Sequence, residues 1–139
     1  MASRVVFADT SFLLALCHPK DPYRDKAQEL DTVLLSAQLV TSELVLIELL
    51  NGVCKYGPDV RDFTVEFIDM LRSTRRFEVV RCSSERFAQA IRFYEQMSDK
   101  AWSLTDCDSI LAMRHRGIME AATTDRHFEQ AGYVALMRH

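Results

Sequence analysis

Four acidic residues stand where carboxylates can do chemistry: Asp9, Glu48, Asp106 and Asp125. The chain holds 20 acids, so their presence carries no weight and their placement carries all of it. Asp9 ends the apolar run Val5-Val6-Phe7-Ala8, and Asp125 follows a strand-like segment from Met119 to Thr124. Asp106 completes Ser103-Leu104-Thr105-Asp106, an S-x-x-D capping pattern ahead of a helix reaching about His115. Glu48 is flanked by Leu44-Val45-Leu46-Ile47 and by Leu49-Leu50. A helix apolar all round is buried, so the spacing predicts a Glu48 carboxylate kept from bulk water. Such a group needs a cation partner, either arginine or a metal, or it takes up a proton. Taken singly, Asp9 can cap a first helix, Asp106 can merely complete its capping box, and Asp125 can start a turn. Taken together, carboxylates that face one another repel unless a hard cation sits between them. Asp and Glu oxygens are the ligand set that Mg2+ or Mn2+ prefers, and such an ion activates water and neutralises phosphate charge. Asp21, Asp25, Glu66, Glu85 and Glu95 fall on polar faces or in turns and read as solvated surface.

The elements that must position these acids follow from periodicity. Thr10-Ser11 caps a helix through Leu16, which His18-Pro19-Lys20-Asp21-Pro22 breaks. Asp21 and Pro22 read as the cap and first position of a second helix carrying Tyr23, Ala27, Leu30 and Leu34 on one face. Leu39-Val40-Thr41 is a strand. Ser42 caps an apolar helix from Glu43 to about Lys55, ended by Gly57 and Pro58. Val60, Phe63, Phe67 and Leu71 mark the next helix, and Phe77 to Arg81 the next strand. Ser83 or Ser84 opens a helix with Phe87, Ile91 and Tyr94 on one face, and Tyr133 to Met137 is a last strand. Strands separated by helices imply parallel pairing with right-handed crossovers, hence one α/β domain over residues 1–139 with three layers, α/β/α, around a central parallel sheet. In such sheets functional groups gather beyond the carboxyl ends of the strands, where all four acids can converge.

Composition excludes several classes. The four cysteines, Cys17, Cys54, Cys82 and Cys107, form no CxxC pair, which argues against zinc and against a disulfide framework and suits a reducing cytoplasm. No segment approaches the ~20 apolar residues of a membrane helix, and Asp9 interrupts what would be a signal-peptide core. The net charge of −3 lacks the basic excess usual for nucleic-acid binders. No Ser/His/Asp triad, GxSxG elbow or Walker loop occurs. The histidines are scattered; His115 and His127 adjoin arginines, which favours surface or phosphate contact over metal ligation.

At these residues the sequence resembles the PIN-domain ribonucleases, specifically the VapC-type toxins of bacterial toxin–antitoxin pairs. The segments that carry the resemblance are VVFADTSFLLAL, TSELVLIELLNG, SLTDCDSILAMRHRGI and EAATTDRHFEQAGYVAL, in family order across almost the whole chain. The resemblance implies that Asp9, Glu48, Asp106 and Asp125 hold Mg2+ or Mn2+, with the Ser11 hydroxyl as support. It also implies RNA as substrate, a homodimer, and silencing by a cognate antitoxin. One departure is Asp108, where the motif calls for an apolar residue. On a helix it diverges by roughly 200° from Asp106, so it is either a second supporting acid or, the favoured reading, a surface charge without a role. If RNA is the substrate, local cations must offset the acids, and Arg114, Arg116, Arg126 and His127 are the candidates. Rival readings are a PIN fold that has lost catalysis and serves as an RNA- or protein-binding module, and a phospho-receiver-like signalling domain. Retention of all four acids opposes the first. The second would need an acidic pair after the first strand, where Thr10-Ser11 stands, and a late lysine, whereas the last is Lys100.

Overall fold

The run Val6-Phe7-Ala8 is wholly buried, as a strand covered on both faces must be. In the computed structural model, which describes residues 3–139, this strand, β1 (Val5–Ala8), lies at the centre of a five-stranded sheet. It pairs in parallel with β2 (Gln38–Ser42) on one side and with β4 (Glu120–Ala122) on the other. Outside these lie β3 (Phe77–Val80) and β5 (Val134–Ala135), giving the order β3-β2-β1-β4-β5 with every pairing parallel.

Helices α1 (Thr10–Cys17) and α2 (Arg24–Val33) join β1 to β2, and α3 (Glu43–Val53) and α4 (Pro58–Ser73) join β2 to β3. The chain then returns past its start through α5 (Ser84–Gln96) and α6 (Leu104–Arg116) to β4, and α7 (Arg126–Gln130) leads to β5. With right-handed crossovers, the outward and return paths cover opposite faces, which gives the three layers. Most helix contacts follow this division, α1 packing on α2, α3 and α4 and α6 on α5 and α7, while α3 and α6 also meet each other. The direction of winding reverses between β1 and β4. That reversal is the switch point at which open α/β sheets bind ligands, beyond the strands' carboxyl ends. Asp9 follows β1 there, and Thr123 to Asp125 follow β4.

Several expected boundaries move for local reasons. The second helix starts at Arg24, because the Asp21 carboxylate accepts from the Tyr23 N–H at 2.8 Å and closes a turn before it. Pro58 opens α4 behind a left-handed Gly57, φ 91°, rather than ending α3. Ser42, Ser83 and Ser103 cap their helices as expected, each accepting a backbone N–H. The short α7 had no expected counterpart, since five residues are too few to show a period. The expectation that α3 is buried all round is corrected: Ile47 is 52% and Leu50 38% exposed, and Glu48 is half-buried. Part of α3 packs on α1, α4 and α6 while Ile47 and Leu50 meet solvent, a choice that uniformly apolar flanks cannot encode.

Candidate metal centre

Asp9 is the N-cap residue of α1, yet its side chain makes no cap bond. Instead Thr123 Oγ1 donates to Asp9 Oδ2 at 2.7 Å, and Ser11 Oγ lies 3.3 Å from the same oxygen. Thr123 Oγ1 accepts from the Asp125 N–H at 2.9 Å, and Ser11 Oγ accepts from the Thr124 N–H at 3.0 Å. Two hydroxyls thus tie the carboxylate after β1 to the backbone after β4. Burial pushes the Asp9 carboxyl up to about 7; the Thr123 hydroxyl and the Thr10 backbone pull it down, and the charges of Asp106 and Glu48 push it up again. Those last two influences place Asp106 and Glu48 within electrostatic reach of Asp9.

Asp106 and Asp125 meet through an imidazole. The Asp106 Oδ2 accepts from the Ser103 N–H at 3.0 Å, while Ser103 Oγ accepts from the Asp106 N–H at 3.0 Å, so the expected capping box forms. The same Oδ2 lies 2.9 Å from His127 Nδ1. Asp125 caps α7, its Oδ1 accepting from the His127 N–H at 2.9 Å, and that oxygen lies 3.1 Å from His127 Nδ1. One ligand atom from each of Asp106, Asp125 and His127 falls within 4.8 Å of the other two.

Among the described residues, no lysine or arginine is ion-paired with Asp9, Glu48, Asp106 or Asp125. A group of carboxylates with no fixed cation matches the donor set of a hard divalent ion, so the residues present fit Mg2+ or Mn2+. Burial pushes the Cys17 and Cys107 thiols up to about 11, which disfavours a thiolate at either of these two positions.

The family model described as PIN domain matches residues 6–133. The chain belongs to the PIN domain family. Among solved structures it is similar to VapC20 of Mycobacterium tuberculosis, described as a Sarcin-Ricin loop cleaving toxin, at 25% identity and a TM-score of 0.82, over 93% of this chain and 96% of that one. It also resembles VapBC2 of Rickettsia felis bound to a DNA fragment from their promoter, at 17% identity and a TM-score of 0.64, over 94% and 96% of the two chains. FitAcB of Neisseria gonorrhoeae matches at 17% identity and a TM-score of 0.60, over 94% and 95%. A comparison with curated proteins finds no match.

In this PIN fold three other sequence candidates move. Asp108 is no surface charge: it is 3% exposed and pairs with Arg86 of α5 at 2.7 Å. Burial raises its carboxyl and Arg86 pulls it back only in part. Arg114 and Arg116 lie about 12 and 15 Å along α6 from Asp106, at the far end of the helix. Arg114 sits over the Phe93 ring at 5.1 Å and Arg116 pairs with Glu78 at 2.6 Å, so neither joins the carboxylates. Of the four cations only Arg126, exposed at the first position of α7, and His127 lie beside them. Sequence reading missed Thr123 and Arg86. Thr123 carried a faint signal, a hydroxyl two residues ahead of a candidate acid at a strand end.

Proposed function

We propose that this PIN-domain chain is a metal-dependent endoribonuclease, the toxin of a toxin–antitoxin pair. The observation that carries the reading is the gathering of Asp106 and Asp125 at the sheet's switch point, with Asp9 and Glu48 in electrostatic reach and, among the described residues, no lysine or arginine paired with any of the four. The likeness to a toxin described as cleaving the Sarcin-Ricin loop supports RNA as substrate, and the likeness to VapBC2 supports an antitoxin as partner. In this reading Asp9, Glu48, Asp106 and Asp125 hold Mg2+ or Mn2+. When bound, the ion supplies charge neutralisation at the scissile phosphate and lowers the pKa of water. The net reaction is hydrolysis: water adds to phosphorus, the bond to one ribose oxygen breaks, and that oxygen leaves as a hydroxyl.

The chain's own residues supply position. Thr123 and Ser11 hold the Asp9 oxygen on the rim, and the capping box holds Asp106 at the mouth of α6. Arg126 offers a cation to the RNA backbone beside them. Dimerisation and action in the cytoplasm belong to the same proposal; among the described residues no helix is long and apolar enough to cross a membrane. The test is incubation of purified protein with structured RNA, with the 5′ ends of the fragments sequenced. Discrete cuts in Mg2+ or Mn2+ that EDTA abolishes support the reading. Cleavage that persists in EDTA contradicts the metal mechanism, and no cleavage of any RNA by folded, metal-loaded protein favours a binding module.

A further inference from the structure

The imidazole of His127 occupies an unusual place for a residue next to an exposed arginine. Its side chain is 20% exposed, against 10% and 30% for the Asp106 and Asp125 side chains it touches. The contact runs through Nδ1, the ring nitrogen nearer the backbone, and the ring starts from a backbone N–H that is itself held by Asp125 Oδ1. The ring therefore has little freedom: α7 begins where Asp125 caps it, and the second residue of the helix turns back over the cap. Asp125-x-His127 is in effect one unit, with carboxylate and imidazole aimed at the same point from adjoining positions.

The distances fit coordination as well as they fit hydrogen bonds. Six-coordinate ions of the Mg2+ class bind at roughly 2.1 Å, which puts neighbouring ligand atoms about 3.0 Å apart. His127 Nδ1 lies 2.9 Å from Asp106 Oδ2 and 3.1 Å from Asp125 Oδ1. With its proton on Nε2, the ring presents the Nδ1 lone pair between two carboxylate oxygens. A phosphate contact would instead need the ring to face outward with a free N–H, away from two negative groups.

We propose that His127 is a direct ligand of the divalent ion through Nδ1, so that the centre has a mixed nitrogen and oxygen donor set. The proposal rests on the reading of the carboxylates as a metal centre. It carries a consequence for ion choice. Imidazole suits transition metals, whereas Mg2+ takes carboxylate, carbonyl and water oxygens. His127 thus tilts the centre towards Mn2+ and away from Mg2+.

The experiment is electron paramagnetic resonance of Mn2+ bound to the purified protein, with pulsed detection of nitrogen coupling, on wild type, His127→Ala, His127→Gln and Asp106→Asn. Mn2+ and Mg2+ dissociation constants are measured alongside, and circular dichroism confirms that each variant is folded. Wild type should show coupling from a directly bound histidine nitrogen, and both His127 variants should lose it. Their Mn2+ dissociation constant should rise about tenfold or more while that for Mg2+ changes by less. Mn2+ binding that is lost in Asp106→Asn but shows no nitrogen coupling in wild type overturns the proposal and leaves the carboxylate centre standing. Coupling that survives in both His127 variants also overturns it. Mn2+ binding unaffected by Asp106→Asn removes the underlying reading itself.

Discussion

Asp106 and Asp108 lie two residues apart on one helix, both are buried, and their surroundings differ in one respect. Asp108 faces the α5 side and meets the Arg86 guanidinium at 2.7 Å, a cation built into the chain. Asp106 faces the sheet's switch point, where its neighbours are Asp125, His127 and, at longer range, Asp9. A buried carboxylate with a fixed partner is a structural pair whose desolvation the partner offsets. Buried carboxylates that share a rim with one another and no fixed cation hold a proton or, in the function proposed above, take a cation from solution. The contrast teaches that burial and residue type do not separate the two roles. What separates them is whether the balancing charge is covalently part of the protein.

The largest expected effects come from exchanging the two acids one at a time. Asp106→Asn keeps an oxygen for the capping box, so the fold should hold within about 1 kcal/mol while RNA cleavage falls by orders of magnitude. Asp108→Asn should do the reverse. It strands the Arg86 cation and should cost on the order of 3 kcal/mol of stability, leaving cleavage per folded molecule near wild type. Replacing both partners, Arg86→Met with Asp108→Leu, should recover most of that loss. Chemical denaturation and single-turnover cleavage measure the two axes separately. A loss of cleavage in folded Asp108→Asn as deep as in Asp106→Asn would erase the distinction.

A smaller effect concerns Asp9, the most deeply buried of the four acids. Its carboxyl moves from 3.8 to about 7 on folding, chiefly through burial. Between those values the folded chain holds a proton that the unfolded chain has released. Stability from this group is therefore complete below about 4 and is lost as pH rises through about 7, a change of a few kcal/mol at most. In EDTA the melting temperature should fall across that window, and Mn2+ should restore it at neutral pH. Asp9→Asn, neutral at every pH, should flatten the profile and melt several degrees higher than wild type at pH 8 in EDTA. A profile that rises with pH across this window would show that Asp9 is stabilised as a carboxylate by something other than a metal.

The smallest effect separates the arginines. Arg126→Ala should weaken RNA binding across sequences and reduce the salt slope by about 1, whereas Arg114→Ala and Arg116→Ala should leave both unchanged. Binding measured at several salt concentrations decides it.

What was legible in the sequence was legible because it is local. Asp9 and Asp125 stand at the ends of apolar strand segments, and Asp106 completes a four-residue capping pattern, so short windows suffice to place them. The parallel sheet also follows from alternating strands and helices. The contacts that give each acid its role are long-range: Thr123 reaches Asp9 across 114 residues and Arg86 reaches Asp108 across 22. No spacing rule links such pairs. Arg114 and Arg116 were misplaced for the converse reason, since closeness to Asp106 in sequence becomes distance when a helix carries them to its other end. Asp108 was misread because helical divergence from Asp106 was equated with solvent, although the opposite side of α6 packs on α5.

The central claim is that the rim carboxylates, and not the Asp108 pair, take their cation from solution. Calorimetric titration of Mn2+ into folded wild type, Asp106→Asn and Asp108→Asn tests it most directly. Saturable binding is expected in wild type, binding of similar affinity in Asp108→Asn, and loss of that binding in Asp106→Asn. Equal binding in all three, or none in wild type, would contradict it.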